Sequence, residues 1–239
     1  MKSLPYLIIS IVVCVFIPFN LVAKTLWSDY SVTFLRGNNY EIGDSNRYVG
    51  TIEYASGTTW GDNFMFIDRL VSDNGDNEIY GEFSPRFKIS SVDNDFFKNI
   101  YVATTIEMEN FSASSGFSNS FTNYLVGVGT DLKIPHFNYF QLNFYRRNNE
   151  LDKANYQMTL AWGIPLGSLY YDGFLDYATS TDIAKATLNF TSQLKYDIAP
   201  IIGLTSKLYV GIEYVYWQNK FGIDGVDEKN INLLIKYHF

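Results

Sequence analysis

The stretch Lys229-Asn230-Ile231-Asn232-Leu233-Leu234-Ile235-Lys236-Tyr237-His238-Phe239 decides the fold. Ile231, Leu233, Ile235, Tyr237 and Phe239 alternate with Asn230, Asn232, Lys236 and His238, and only Leu234 breaks the pattern. Successive side chains of a strand point to opposite faces, so this segment reads as a strand with one apolar and one polar face. The same alternation recurs upstream. Ile79, Gly81, Phe83, Pro85, Phe87 and Ile89 oppose Tyr80, Glu82, Ser84, Arg86 and Lys88. Tyr156, Met158, Leu160, Trp162 and Ile164 oppose Gln157, Thr159, Ala161 and Gly163. Such segments are expected near residues 28–36, 47–56, 63–71, 78–89, 98–110, 121–132, 137–147, 155–165, 168–178, 186–197, 207–217 and 229–239. Each has roughly the 9–11 residues that a tilted strand needs to cross a bilayer.

Composition agrees with a chain that meets two solvents. Of the 239 residues, 18% are aromatic and only 18% charged, and the formal net charge is −7. The mean hydropathy of −0.06 excludes a bundle of transmembrane helices. An acidic chain without basic runs is unsuited to nucleic acid. One Cys and two His leave little for a zinc or iron–sulfur centre, and no cofactor is expected.

The first residues read as an export signal, 1–23. Lys2 precedes an apolar run from Leu4 to Ala23 that Pro18 interrupts, and Leu21-Val22-Ala23 suits cleavage after Ala23. Val12-Val13 before Cys14 is not a lipoprotein signal. The remainder, 24–239, is expected to form one domain. A soluble two-sheet sandwich would also alternate. The export signal, the terminal Phe239 and rings near the ends of apolar faces (Tyr48, Tyr54, Tyr171, Tyr177, Tyr237) favour a membrane barrel with aromatic girdles. Hydrocarbon satisfies no backbone N–H or C=O, so the sheet must close. The expected fold is therefore all-β, a closed antiparallel transmembrane β-barrel of about 12 strands. It would be multi-pass in the bacterial outer membrane, with long loops outside and tighter turns such as Lys133–His136 and Pro165–Gly167 in the periplasm. Its surroundings would be outer-membrane lipid and lipopolysaccharide, and its closing strand ends in the Phe239 that the barrel-assembly machinery would read.

Alternation also sorts the charges. Asp29, Glu53, Asp68, Glu82, Glu107, Glu109, Asp131, Asp172, Asp176, Asp197 and Glu213 fall on inner faces, against Arg86, Lys88, Arg147, Lys195 and Lys236. An acid-rich, narrow, low-dielectric pore repels anions and admits cations and neutral solutes. Rings fall inward as well: Phe64, Phe66, Tyr80, Tyr101, Tyr139, Tyr145, Tyr170, Phe174, Tyr209 and Trp217. An aromatic ring offers a nucleobase a stacking surface worth about 1–3 kcal/mol, although small barrels also fill with side chains. The candidate solute-binding residues are Phe64, Phe66, Asp68, Tyr80, Glu82, Arg86, Glu107, Tyr139, Tyr170, Asp172, Glu213 and Trp217. Glu82 and Arg86 lie about 13 Å apart along one face of a strand and could bind a solute at two heights or bond to neighbouring strands.

Trp60-Gly61-Asp62-Asn63-Phe64-Met65-Phe66-Ile67-Asp68-Arg69, Ser84-Pro85-Arg86-Phe87, Gly127-Val128-Gly129-Thr130-Asp131-Leu132 and Tyr216-Trp217-Gln218-Asn219-Lys220-Phe221-Gly222 resemble segments of the Tsx-like, OmpK-like outer-membrane proteins. That family includes nucleoside-specific channels and a vibriophage receptor, and the chain is more similar to its OmpK-like branch. The resemblance implies a monomeric twelve-stranded barrel with a narrow, aromatic-rich pore for nucleosides.

The expectation is a passive channel for small neutral solutes such as nucleosides. The alternative is a structural barrel whose extracellular loops act as a receptor, for instance for phage, with the acidic loop from Gln218 to Glu228 as the candidate epitope. A barrel hydrolase would need a Ser-His-acid constellation. The two histidines are expected in a turn (His136) and beside the terminal Phe (His238), so no enzyme is expected.

Overall fold

The computed structural model describes residues 24–92 and 94–239; the expected export signal, 1–23, lies outside the described residues. Twelve strands follow one another: β1 Thr25–Gly37, β2 Arg47–Thr58, β3 Gly61–Ser72, β4 Asn77–Ser91, β5 Phe97–Ser112, β6 Ser118–Leu132, β7 Tyr139–Asn148, β8 Asn155–Leu166, β9 Leu169–Ala178, β10 Thr187–Asp197, β11 Leu208–Gln218 and β12 Glu228–His238. Each pairs antiparallel with its sequence neighbours, and β1 pairs with β12 from Ser31↔His238 to Gly37↔Asn232, which closes the barrel. Closure leaves no strand edge facing lipid.

The two faces divide as alternation requires. On β12, Leu233 is 68% exposed while its neighbour Asn232 is 2% exposed. Phe34, Ile52, Ile67, Val128 and Phe144 point outward in the same manner. An apolar belt of this extent on the outside overturns the sandwich alternative, in which those faces would be covered. Leu234, the residue out of phase, faces inward and packs with Leu35, Val49 and Tyr40. Ten outward tyrosines form two girdles: Tyr48, Tyr124, Tyr156, Tyr177 and Tyr216 towards one end, Tyr30, Tyr54, Tyr171, Tyr196 and Tyr237 towards the other.

The first and last described residues, Lys24 and Phe239, lie at one rim, and that rim is periplasmic in bacterial barrels of this kind. The connections differ from the expected contrast in length. At the far rim, 73–76 and 113–117 are tight, whereas the periplasmic connection 198–207 is among the longest. Pro200 opens a 3₁₀ turn there, Ala199–Ile202, which ends on Gly203 at φ 74°. The pyrrolidine fixes φ and lacks an N–H, so the chain leaves the ladder instead of forming a two-residue hairpin.

Candidate functional site: the barrel lumen

Register places all twelve candidate residues on the inner wall. On β3 and β4, Phe64, Phe66 and Tyr80 form a chain of rings with centroids 5.9 and 5.7 Å apart. Tyr80 Oη donates to Glu82 at 2.6 Å, and Thr51 Oγ1 donates to Asp68 at 2.6 Å. Across the barrel, Tyr139 and Tyr170 lie over Gly163, where a Cβ would fall 2.4 Å from the Tyr139 ring and 2.5 Å from Tyr170 Oη. Glycine is therefore the residue that leaves the wall flat enough for two rings at this level. Tyr170 and Tyr209, with centroids 6.5 Å apart, border a cavity of about 440 Å³ at the periplasmic mouth, together with Asn138, Pro165 and Lys207.

The acids and bases are treated differently. Inner bases are held by acids: Arg86 by Asp62 (2.6 Å) and Asp131 (2.8 Å), Arg147 by Glu107 (2.7 Å), Lys195 by Asp172 (2.6 Å), Arg47 by Glu78 (3.4 Å) and Lys236 by Glu53. Among the inner bases of the strands, Lys88 alone is exposed, at the periplasmic rim. Arg86 is 3% exposed, its guanidinium also stacked 4.2 Å over Tyr101. Four acids instead hold neutral partners. These are Asp68 and Glu82, as above; Asp176, which accepts from Thr159 Oγ1 at 2.5 Å; and Glu213, which accepts from Gln193 (2.8 Å) and Asn232 (2.9 Å). All four are partly open to the interior, as are Phe66, Tyr80, Tyr170, Asp172 and Trp217, while Phe64 and Tyr139 are more exposed still. Arg86 and Glu107 are sealed. Glu107 binds Arg147 and Asn123, so these two candidates tie strands together and present no surface to a solute. Of the two alternatives for Glu82 and Arg86, Arg86 takes the bonds to other strands: its guanidinium is committed to Asp62 and Asp131.

Sequence reasoning did not anticipate a constriction in the extracellular half. The loop 38–46 turns into the lumen and buries Tyr40, whose Oη donates to Asn232 Oδ1 at 3.1 Å. Lys220, from the loop 219–227, reaches in from the other side. It is 5% exposed and binds Glu228, itself 1% exposed, at 2.5 Å. Its Nζ lies 4.9 Å from the Trp217 ring and 5.7 Å from Tyr40. Asn219 (φ 46°) and Phe221 (φ 56°) flank it in left-handed backbone, a conformation that side-chain residues adopt at a cost and that tertiary contacts maintain. Glu228 also accepts from Glu41 N at 2.9 Å, and Asn230 Oδ1 from Asn39 N at 3.2 Å, so β12 anchors both loops. Burial pushes the Lys220 ammonium down from its ordinary pKa, with Glu228 opposing, and pushes the Tyr40 phenol up. Neither loop has a period from which its inward turn could be read; the aromatic residues within them are the one available signal.

His136 is exposed in the connection 133–138, and His238 Nδ1 lies 2.8 Å from the Asp29 carboxylate at the rim. Among the described residues no His, Cys, Asp and Glu cluster has metal-binding geometry.

A closed twelve-stranded antiparallel barrel with an apolar outer belt, two tyrosine girdles and a polar interior is a bacterial outer-membrane β-barrel with a porin-like fold. Its resemblance to the OmpK-like outer-membrane proteins is borne out by comparison: the chain is 27% identical over 188 residues to outer membrane protein OmpK of Vibrio parahaemolyticus serotype O3:K6 (strain RIMD 2210633), spanning 65% of this chain and 70% of that one. No family model matches the chain. Among solved structures it shares its fold with the KdgM porin, at a TM-score of 0.51 and 10% identity, over 89% of this chain and 99% of that one. The same porin in complex with disordered oligogalacturonate matches at a TM-score of 0.50 and 12% identity, over the same shares.

Proposed function

We propose that this barrel is a passive channel for small neutral or cationic solutes carrying a planar ring, with nucleosides as the solute class that fits best. One observation carries the reading: Arg47, Arg86, Lys195, Lys220 and Lys236 are ion-paired and sealed, and Arg147 is held by Glu107, so that Lys88 at the periplasmic rim is the one exposed inner cation of the described strands, whereas acids and rings line much of the open wall. A solute inside therefore meets negative charge and π-faces. Phosphorylated solutes are repelled by that field. A base stacks on Phe66, Tyr80 or Tyr170, and ribose hydroxyls donate to Asp68, Glu82 or Asp176. Several weak contacts along the wall, instead of one tight site, let a solute both enter and leave. The porin-like fold and the OmpK relative support the channel class.

The test is planar-bilayer conductance of the folded barrel with adenosine and thymidine against their monophosphates. Nucleosides are expected to reduce ion current reversibly at millimolar concentration, with the phosphates at least tenfold weaker. Equal effects of nucleoside and nucleotide would refute the charge argument, and no effect of either would refute the solute class. The tight packing around Tyr40 and Lys220 favours a second reading: a structural barrel whose loops serve as a receptor. An ionic conductance near zero, together with ligand or phage binding abolished by deleting 221–226, would select it.

A further inference from the structure

Within the described strands every Asp and Glu faces inward, from Asp29 on β1 to Glu228 on β12. The charges that register places outward are all cations: Arg36, Arg69, Arg146 and Lys229, near the extracellular rim. Three of the four extracellular cations share one geometry. Arg36 pairs across strands with Tyr48, Arg146 with Tyr156 and Lys229 with Tyr216. The charge lies 4.1, 5.9 and 5.8 Å from the respective ring centroid. The periplasmic girdle is built otherwise. Tyr30 packs on Tyr54 at 4.6 Å, Tyr171 beside Trp162 at 6.2 Å and Tyr237 against Phe239 at 5.0 Å.

An interfacial tyrosine marks where hydrocarbon gives way to headgroups. A cation fixed beside it stands at the level of the headgroup phosphates. Its repetition on three separate strand pairs at one interface, and its absence from the described tyrosine pairs at the other, indicates that the two leaflets present different chemistry to the barrel. We propose that the Arg36–Tyr48, Arg146–Tyr156 and Lys229–Tyr216 pairs are seats for a phosphorylated glycolipid of the outer leaflet. Each cation takes a phosphate oxygen while the ring rests against the first acyl carbons. Arg36 is partly occupied: Asp73, in the loop 73–76, receives its two guanidinium N–H groups at 3.0 and 2.8 Å and competes with the lipid phosphate. The inference rests on the outward face alone and stands or falls independently of the channel reading.

The test uses folded full-length mature barrel in detergent, with native mass spectrometry counting bound lipid. The probes are a bisphosphorylated lipid A glycolipid, its dephosphorylated counterpart and inorganic phosphate. The bisphosphorylated glycolipid is expected to bind the native barrel, and R36Q/R146Q/K229Q to weaken each seat about fivefold, the share of one cation at an anionic headgroup surface. R36K/R146K should retain most of the binding. D73N, which frees Arg36, should strengthen it, whereas a merely structural Arg36–Asp73 pair would leave lipid binding unchanged on D73N. Heat-dependent gel mobility reports that each variant is folded. The proposal is overturned if the triple variant binds the glycolipid as the native barrel does, if the dephosphorylated form binds equally well, or if inorganic phosphate displaces the glycolipid at equal concentration.

Discussion

Replacing Lys220 by Met tests whether the extracellular constriction is a desolvated ion pair or a wet one. Lys220 and Glu228 are both nearly inaccessible and lie 2.5 Å apart. Met keeps the apolar stem against Trp217 and Tyr40 but leaves the Glu228 carboxylate with the Glu41 N–H. Breaking a buried pair by removing one partner costs about 3–5 kcal/mol, because a charge remains in a low-dielectric site without compensation. Gln at position 228 removes that charge and can still accept from Glu41 N, so K220M/E228Q should recover most of the loss. The two substitutions should therefore be strongly non-additive, by about 2–3 kcal/mol. Urea titration of barrels folded into lipid vesicles measures this through tryptophan fluorescence, with Trp217 reporting from beside the pair. The single variant should also conduct more, since loosening Glu228 releases the loop 38–46 that holds Tyr40 in the lumen. A K220M cost below about 1 kcal/mol, the range of solvent-exposed pairs, or additive single and double variants, would show that water reaches the pair and that the constriction is not sealed.

Gly163→Ala places a methyl where the Tyr139 and Tyr170 rings now lie; both must swing inward, which should cost about 1–3 kcal/mol as overpacking does and lower conductance, and an unchanged conductance would mean that the rings do not border the path. Asp76 accepts from Ser114 N at 2.8 Å and Ser114 Oγ at 3.0 Å, tying the loop 73–76 to 113–117, and these hydrogen bonds hold its pKa below the ordinary carboxylate value. The tie is therefore at full strength above about pH 4, the ordinary carboxylate range, and is lost as pH falls through the lowered folded pKa. Hydrogen-exchange protection of the Ser114 amide should drop over that window in the native barrel and show no such step in D76N. Leu233→Arg puts a charge on the lipid face and should destabilise the vesicle-embedded barrel by about 2–4 kcal/mol near the bilayer midplane, measured by the same urea titration; a neutral effect would mean that this face does not meet hydrocarbon.

Alternation made the faces legible because a strand has only two sides and a one-residue slip would move the whole set. Phe64, Asp68, Glu82 and Trp217 were placed inward on that ground alone, and the register agrees. Alternation carries no information on what lies opposite. Arg86 binds Asp131, 45 residues away in the chain, on a strand that is not a sequence neighbour, and such pairs depend on tilt and stagger around the closed sheet. Leu234 looked like a fault in the pattern for the same reason: its partner Tyr40 arrives from a loop that has no period. Counting inner acids against inner bases therefore leaves out what decides the field. Glu78, Glu228, Arg47 and Lys220 also belong inside, so the raw excess is not what a solute meets. The field along the open wall is set by which charges water can reach. Because most inner guanidinium and ammonium groups are sealed against carboxylates while Asp68, Glu82, Asp176 and Glu213 hold neutral partners, carboxyl groups outnumber cations on the accessible wall, and the selectivity against anions that we propose rests on burial more than on number.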